Sequence, residues 1–415
     1  MKILAISNFY PPHHVSGYAL LCADVLTALG SRGHEVVVLT SDLGGNQDGE
    51  TDVHRVLTLE SPLDYYSLSD AVRYPAAARR NLAHLQDLVD RVRPDVVFVW
   101  GMWNLSKRVA EHAERLMGTR VVYYLANPWP TEANQHRAFW ALPTRRPWLN
   151  WLKGIVRLGA RMLLRDEWRD VRLRFEHAPC CSLALRRQLV DAGVPLKDAP
   201  IIYEGIDIDA YVGQAAQRVD AGPDGILSVV YVGLLVEHKG VHTAIEALGR
   251  LDPDVLARVR LTILGSGHPE YEQRLRALVT SMGLGQRVVF ASPIPRTDLP
   301  RFLAAHHVLV MPSIWEEPLA LIMQEALASG LVLVGSATGG TTEIVVNGEN
   351  GLLFSAEDAD CLAQHLERLV SEPELRRRLA AQGQQTARRM FSLERMVHDL
   401  DACLRRVRQV PDERR

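Results

Sequence analysis

The sequence predicts an α/β protein built from two domains, each with a parallel β-sheet. Its 415 residues exceed the size of about 250–300 residues at which a single hydrophobic core stops growing. Short apolar runs alternate with longer helix-like patterns, which is typical of parallel strands joined by crossover helices. This alternation starts twice, before and after a stretch rich in Gly, Asp and Pro at 211–225. We therefore expect two α/β units of similar size.

The first series of apolar runs predicts the strands of an N-terminal domain, which we place at residues 1–205. Helical patterns fill the gaps between the runs, and Pro94 and Gly118 punctuate two of the helix ends. The predicted strands are Lys2–Ser7, Glu35–Thr40, His54–Leu59, Asp95–Trp100, Arg120–Leu125 and Ala178–Ser182. The predicted helices are Tyr18–Arg32, Leu68–Arg93 and Ser106–Met117.

The second series predicts a C-terminal domain at residues 206–391. Its predicted strands are Leu227–Gly233, Val259–Leu264, Arg287–Phe290, His307–Met311, Leu331–Val334 and Gly351–Phe354. Its predicted helices are Val241–Leu251, Pro269–Met282, Asp298–Ala305 and Pro318–Ser329. The helical patterns from Asp358 to about Val410 carry no strand, and we expect residues 392–415 to pack back on the N-terminal domain. Ligands of parallel sheets bind beyond the carboxyl ends of the strands, so the site should lie in strand-to-helix loops of a cleft between the domains.

The composition excludes several classes of protein. A net charge of −2 gives no general attraction to nucleic acid. No run of about 18 apolar residues occurs, and the N-terminal apolar run is too short for a signal peptide. The five cysteines lack CxxC spacing, and the pair His13–His14 and His34 have no accompanying ligand set. We expect a cytoplasmic protein with no bound metal and no resident cofactor.

Glu317 and Glu325 are the most informative residues. Pro318 suits the first position of a helix, so Glu317 should immediately precede a helix on which Glu325 lies about two turns in. Carboxylates accept hydrogen bonds from the paired hydroxyls of sugar or ribose rings, and the free N–H groups of a helix N-terminus favour negative charge. Taken alone, the pattern fits a solvated acidic helix start equally well.

The sequence around these residues decides between the two interpretations. WEEPLALIMQEALASG (Trp315–Gly330) resembles the C-terminal motif of the family 4 glycosyltransferases (glycosyl transferases group 1). Other segments resemble this family in the right order along nearly the whole chain. They are GYALLCADVLTALGSRGHEVVVLTS (17–41), EGID (204–207), YVGLLVEHKG (231–240), LGSG (264–267), VLVMPS (308–313) and GGTTEIVVNGENGLLF (339–354).

The resemblance implies the GT-B architecture of two Rossmann-like domains, with a nucleotide sugar held by the C-terminal one. By position, Glu325 would hold the ribose hydroxyls, Glu317 the hydroxyls of the donor sugar, and Lys239 the departing diphosphate. We take Lys239 and Glu317 as the catalytic candidates. The further donor-binding candidates are Gly17, Gly233, Gly265 and the backbone of Leu319, Ala320 and Leu321. The family implies a retaining reaction without a metal ion, in which cations and helix dipoles meet the charge of the leaving group.

Three positions depart from the family pattern. Leu234 stands where the family usually has an arginine that contacts phosphate, unless Lys107 or Arg108 substitutes for it. Ala126 and Asn127 replace a frequent His-Asp pair. Leu319–Ala320 replaces the usual Phe-Gly after Glu-Pro, which exchanges a flexible Gly for a better helix former.

The acceptor side of the site is less determined by the sequence. Its candidates are Trp103, Asn127, Trp129 and His136, and for His136 an exposed loop residue is the alternative. The segment 148–172 carries a basic stripe opposite an apolar face with several tryptophans. It fits either a peripheral contact with the inner face of a membrane or an ordinary domain helix with solvated arginines.

The leading hypothesis is a retaining glycosyltransferase that moves a hexose-like sugar from a nucleotide-diphosphate sugar to the hydroxyl of an unknown acceptor. A catalytically degenerate homologue that serves as a binding subunit is an alternative, because Leu234 and Ala126 remove polar groups from the expected centre. A nucleotide-sugar epimerase shares the two-domain architecture and is another. A nicotinamide enzyme is disfavoured, because Glu270 stands where the dinucleotide fingerprint beginning at Gly265 needs its third glycine.

Overall fold

The computed structural model describes residues 1–13, 17–45, 51–63, 68–141, 143, 150, 151, 154, 169–215 and 225–409. The chain divides into two compact units. The N-terminal unit comprises the described residues of Met1–Cys180, Arg186–Ile201 and Val397–Arg415, and the C-terminal unit comprises those of Cys181–Leu185 and Ile202–Met396. Each unit contains one parallel sheet, as the alternation of apolar and helical patterns predicts.

The described part of the N-terminal unit has a five-stranded sheet in the order β3-β2-β1-β4-β5, with parallel pairing throughout. Its central strands are buried on both faces, so they read as unbroken apolar runs. The strands are β1 (Lys2–Ser7), β2 (Glu35–Ser41), β3 (Val53–Leu57), β4 (Val96–Gly101) and β5 (Val121–Tyr123). The helices are α1 (Gly17–Ser31), α2 (Leu68–Val92), α3 (Lys107–Met117), α4 (Gln135–Ala141) and α5 (Leu183–Asp191), the last of which begins in the C-terminal unit.

The strand predicted at Ala178–Ser182 is wrong. Only Cys180 forms bridges here, with Leu125 on one side and Ile201 on the other. Pro179 lies beside Cys180 and has no N–H to donate to a ladder, and Phe175 has a positive φ of 50° just upstream. The segment therefore continues the sheet by isolated hydrogen bonds instead of a regular strand.

The described part of the C-terminal unit has a six-stranded parallel sheet in the order β11-β10-β9-β6-β7-β8. Its strands are β6 (Leu227–Val232), β7 (Val259–Leu264), β8 (Val288–Ala291), β9 (Val308–Met311), β10 (Val332–Ser336) and β11 (Gly351–Phe354). Its helices are α6 (Ile208–Ala215), α7 (Val241–Gly249), α8 (Pro253–Leu256), α9 (Pro269–Ser281), α10 (Leu299–Ala304), α11 (Leu321–Ala328), α12 (Thr341–Ile344), α13 (Ala359–Ser371) and α14 (Pro373–Met390). One apolar core joins these strands to helices such as α7 and α13.

The last helix, α15 (Leu393–Arg408), begins in the C-terminal unit, and its residues from Val397 belong to the N-terminal unit. There Asp401 lies 3.0 Å from Nε2 of His34, and Arg405 Nη2 lies 3.2 Å from the same nitrogen. The His34 side chain is almost fully buried in this contact. No helix of the described residues is both long and apolar enough to cross a membrane. The basic segment 148–172 lies largely outside the described residues, although Trp151 is described and exposed.

Candidate donor site in the C-terminal unit

Two glycine loops lie side by side beyond the carboxyl ends of β6 and β7. Gly233 N donates a hydrogen bond to Leu264 O at 3.0 Å. A Cβ atom on Gly265 would lie 1.9 Å from Gly233 O, so neither loop could approach the other if Gly265 had a side chain. The structure thus places the predicted donor-binding residues Gly233 and Gly265 next to each other.

The loop after β6 ends at Lys239, the last residue of a short 3₁₀ helix that begins at Glu237. Gly240 follows in a left-handed conformation with a φ of 63°, and a Cβ there would lie 2.0 Å from Pro312 O. This tight packing directs the Lys239 side chain to Glu317, with which its Nζ forms an ion pair. Both side chains are largely buried, with exposed fractions of 15% and 9%. The structure therefore brings these two predicted residues together, and their role in a donor site stays a prediction.

A single oxygen of Glu317 receives every hydrogen bond that its carboxylate accepts from the described residues. Oε2 accepts from Lys239 Nζ, from Trp315 Nε1 at 3.0 Å and from Ser313 Oγ at 3.3 Å. Lys239 Nζ also lies 5.6 Å from the centre of the Trp315 ring, within range of a cation–π attraction. The carboxylate orientation is thus fixed through Oε2, and no described residue occupies Oε1.

The helix after Glu317 begins later than the sequence predicts. It starts at Leu321, and Ala320 is extended with φ −91° and ψ 125°. Glu317 O accepts a hydrogen bond from Gly340 N at 2.8 Å, and Cβ atoms on Gly339 and Gly340 would clash with the backbone of residues 317 and 318. Because this glycine loop holds the segment in an extended form, Pro318 is not the first helical residue. Leu319 and Ala320 precede the helix N-terminus, and of the three predicted residues only Leu321 belongs to it.

Glu316, the neighbouring carboxylate, contacts the same glycine loop. Its Oε2 accepts a hydrogen bond from Gly339 N at 2.7 Å. The two adjacent acidic residues therefore have different partners. Glu316 is hydrogen-bonded to the loop after β10, whereas Glu317 forms an ion pair with Lys239.

Glu325 lies on α11 and is 6% exposed. Its Oε1 accepts a hydrogen bond from the hydroxyl of Tyr211, on α6, at 2.7 Å. Burial raises the pKa of Glu325, while the hydrogen bond from Tyr211 and the charge of Arg296 counteract that rise. Tyr211 is itself 4% exposed. Sequence patterns did not single out Tyr211 or Arg296, because neither belongs to a motif that contains Glu325.

A third buried carboxyl, that of Glu204, lies within electrostatic range of the other two. Burial, followed by the charges of Glu317 and Glu325, raises the pKa of Glu204 to about 8. The sequence places Glu204 in the EGID segment, but nothing in its spacing from Glu317 indicates that the two residues are neighbours.

The remaining candidates lie in the N-terminal unit. Gly17 is the exposed first residue of α1. The next residue, Tyr18, places its hydroxyl 2.6 Å from Trp100 O and 2.9 Å from Tyr124 O, which fixes the start of α1 beyond the carboxyl ends of β4 and β5. Lys107 Nζ donates to the carbonyl oxygens of Pro130 and Glu132 at 2.6 and 2.9 Å.

The four acceptor-side candidates differ in their surroundings. Trp103 and Trp129 line the same small cavity, but Trp129 is 2% exposed and its ring packs against Phe175, as a core residue does. Asn127 Oδ1 accepts a hydrogen bond from Trp129 N at 3.2 Å. His136 belongs to α4, and its side chain lies outside the described residues. Their contact with an acceptor stays a prediction.

Leu234 and Ala126, two positions at which the sequence departs from the family pattern, have uncharged side chains. Leu234 follows Gly233 and is 59% exposed, an unusual position for a large apolar side chain. Ala126 follows the bridging residue Leu125. In the part of the chain that the structure describes, no group of three or more His, Cys, Asp or Glu side chains is arranged to hold a metal ion.

Comparison with protein families and solved structures shows the family and the fold of the chain. The model of the glycosyl transferases group 1 matches residues 217–386, and that of the glycosyltransferase family 4 matches residues 15–210. Spore coat protein SA of Bacillus subtilis is 31% identical over an alignment of 217 residues, and the match covers 48% of this chain and 56% of that protein. The chain thus spans little more than half the length of that relative. Glycogen synthase of Mycobacterium tuberculosis is 29% identical over an alignment of 403 residues, and the match covers 93% of this chain and 90% of the enzyme.

The fold also matches solved structures along almost the whole chain. The crystal structure of Anabaena HepE in complex with UDP and glucose has a TM-score of 0.68 and 20% identity, and the match covers 98% of this chain and 99% of HepE. This similarity confirms the predicted GT-B fold class of two parallel-sheet α/β domains. With both family models matched in succession, the chain belongs to the family 4, or group 1, glycosyltransferases.

Proposed function

We propose that this protein is a retaining glycosyltransferase that moves a hexose-like sugar from a nucleotide-diphosphate sugar to an acceptor hydroxyl. The observation that carries the proposal is the buried pair of Lys239 and Glu317, which joins the end of the loop after β6 to the segment before α11. Glu325 follows on that helix, also buried. A cation, a sugar-binding carboxylate and a ribose-binding carboxylate are the groups that such a donor requires.

In this proposal each group has one task in the reaction. As the bond between the anomeric carbon and the diphosphate breaks, negative charge grows on the leaving oxygen, and Lys239 stabilises it. Glu317 already accepts hydrogen bonds at Oε2, which leaves Oε1 to accept one from a hydroxyl of the donor sugar. The acceptor hydroxyl then bonds to the anomeric carbon on the face from which the diphosphate departs, and its proton passes to the oxygen of the departing diphosphate. Retention is proposed because the resemblance to the family implies it, and no carboxylate is assigned as a nucleophile.

The donor is proposed to be a UDP-sugar in the first instance. HepE, which shares the fold, has been crystallised with UDP-glucose. In this chain Glu325 would accept hydrogen bonds from both ribose hydroxyls, a feature that UDP-, GDP- and ADP-sugars share. The glycine loops at Gly233 and Gly265 would admit the diphosphate, and no metal ion is required in this scheme.

Leu234 supports a second candidate, a degenerate homologue that binds nucleotide but does not transfer sugar. An exposed leucine supplies no charge for the diphosphate. Lys107, one proposed substitute, already donates to two carbonyl oxygens of its own unit. This candidate predicts that nucleotides bind and that no donor turns over.

The test uses the full chain in a thermal-shift screen against UDP-, GDP-, ADP- and dTDP-sugars, followed by a turnover assay that detects released nucleoside diphosphate. A donor that binds only the folded state raises the melting temperature. Lys239→Ala should lower turnover about 100- to 1,000-fold, the usual effect of removing one group that stabilises transition-state charge. Lys197→Ala, an exposed lysine of the N-terminal unit, is the matched control and should leave turnover unchanged. Full activity in Lys239→Ala would refute the assignment of Lys239, and binding without turnover by the unmodified chain would favour the degenerate homologue.

A further inference from the structure

Glu204 is buried and rigidly held in the C-terminal unit. It is 3% exposed. The next residue, Gly205, packs so closely on the chain at Ser392 that a Cβ would lie 2.6 Å from Ser392 O. Ile206 N donates to Phe391 O at 2.8 Å, and Leu393 N donates to Ile206 O at 2.9 Å. These contacts hold the backbone that directly follows Glu204.

One oxygen of this carboxyl is unpaired within the described residues. Oε2 of Glu204 is buried and has no hydrogen-bond partner among the described residues. Buried polar atoms are nearly always hydrogen-bonded, so an unpaired carboxyl oxygen indicates a partner from outside the chain, either a ligand or a bound water.

The neighbouring groups determine the charge state of Glu204. It lies within electrostatic range of Glu317, which is paired with Lys239, and of Glu325, which accepts a hydrogen bond from Tyr211 and is within electrostatic range of Arg296. The negative charges of Glu317 and Glu325 are balanced by the positive charges of Lys239 and Arg296. An ionised Glu204 would therefore add an uncompensated negative charge. Burial and the two carboxylates together raise the pKa of Glu204 to about 8, and the side chain is therefore largely a neutral acid at pH 7. A neutral carboxyl can donate a hydrogen bond, which a carboxylate cannot.

We infer that Glu204 is a third carboxyl of the nucleotide-sugar site and that it acts as a neutral acid, donating a hydrogen bond to an oxygen of the bound donor. The inference rests on the proposed function, because it assigns the unpaired oxygen to the donor. It makes Glu204 a binding residue for the donor, with a charge state suited to a dianionic ligand. Loss of its proton places a third negative charge beside Glu317 and Glu325 and weakens binding.

The experiment is a calorimetric titration of the full chain with UDP, GDP and ADP at pH 7, 8 and 9, continued with the nucleotide that binds most tightly. The terminal phosphate of such nucleotides is ionised above pH 7, since its last proton leaves near pH 6. The wild-type affinity should fall about tenfold between pH 7 and pH 9, as one proton is lost with a pKa of about 8. Glu204→Gln, which keeps a hydrogen-bond donor and cannot ionise, should bind within threefold of wild type at pH 7 and show no such fall.

Two further variants complete the design. Glu349→Gln removes an exposed carboxylate of the same unit. Its nucleotide affinity should fall between pH 7 and pH 9 as that of the wild type does. Glu204→Leu should fold, as judged by its melting temperature, and bind about tenfold more weakly at pH 7. Wild-type affinity that is constant from pH 7 to 9, an equal decline in Glu204→Gln, or unchanged affinity in Glu204→Leu would each overturn the inference while leaving the proposed function in place. Failure of wild type to bind any of the nucleotides would overturn both.

Discussion

The ion pair between Lys239 and Glu317 permits a test that separates its structural role from its role in binding. Lys239→Met removes the cation and keeps most of the apolar stem. The side chains are 15% and 9% exposed, so solvent screens the remaining carboxylate poorly. Breaking a buried ion pair by removing one partner costs about 3–5 kcal/mol, because an uncompensated charge stays buried. For a domain of about 150–250 residues, each kcal/mol shifts the melting temperature by about 2–4 °C. We therefore expect Lys239→Met to lower it by roughly 6–20 °C.

The double variant Lys239→Met with Glu317→Gln should recover most of that loss. Its amide is uncharged and can still accept the hydrogen bonds of Trp315 and Ser313, so no buried charge remains. Both variants should bind a nucleotide sugar more weakly than wild type, because both lack the Lys239 cation that we propose for the diphosphate. The assay is differential scanning fluorimetry of the full chain with and without UDP-glucose, with Lys197→Met as the exposed control. A loss below about 1 kcal/mol in the single variant would show that the pair behaves as a surface salt bridge. An equally unstable double variant would show that the cost lies in packing and not in charge.

Three further predictions follow from other contacts. Tyr211→Phe removes the hydroxyl that donates to Glu325 at 2.7 Å. A hydrogen bond to a charged group contributes about 1.5–3 kcal/mol, so this variant should discriminate less between UDP and 2′-deoxy-UDP, as measured by calorimetry. Burial lowers the pKa of His34 in the folded protein, so the stability of the fold should be highest above the unfolded pKa of about 6.5 and should decline as the pH falls below it. This is tested by the melting temperatures of wild type and of His34→Gln between pH 5 and 8. A parallel decline in both proteins would contradict the prediction. If the segment 148–172 contacts membranes, the chain should co-sediment with vesicles rich in anionic lipid at low salt and separate from them at high salt.

The sequence predicted the sheets well because each strand leaves a local signal. Lys2–Ser7, Val259–Leu264 and Gly351–Phe354 are observed with the predicted bounds, since strands buried on both faces form unbroken apolar runs with polar or glycine residues at their ends. The start of α11 was predicted three residues too early, at Pro318. Local propensity favoured Pro318 at the first turn, but the glycine loop at 339–340 holds the preceding residues extended. A contact between segments that lie far apart in the chain thus overrode the local preference.

The candidate site also combines features that the local sequence predicts with features that depend on distant residues. Lys239, Glu317 and Glu325 lie in segments that resemble family motifs, so roles could be proposed for them by position. Glu204 lies in such a segment too, but its charge state depends on Glu317 and Glu325, more than 100 positions away. The hydrogen bond from Tyr211 to Glu325 likewise joins residues 114 positions apart, so neither feature could be predicted from the sequence. A single sequence does not show which side chains of the segment after residue 201 point toward α11.

The charge balance of the site connects Leu234, which departs from the family pattern, with the buried carboxyl of Glu204. With Leu234 in place of an arginine, the cations Lys239 and Arg296 only balance the carboxylates Glu317 and Glu325, so in the proposed function the diphosphate would bind without a surplus of cations among these groups. An ionised Glu204 would leave this part of the site with net negative charge, whereas its neutral form keeps the balance. A cation restored by Leu234→Arg should therefore raise nucleotide affinity most at pH 7, and the gain should shrink at pH 9, because the added positive charge also favours the ionised form of Glu204 that weakens binding. A gain in affinity of the same size at both pH values, measured by the same calorimetric titration, would show that the two positions act independently.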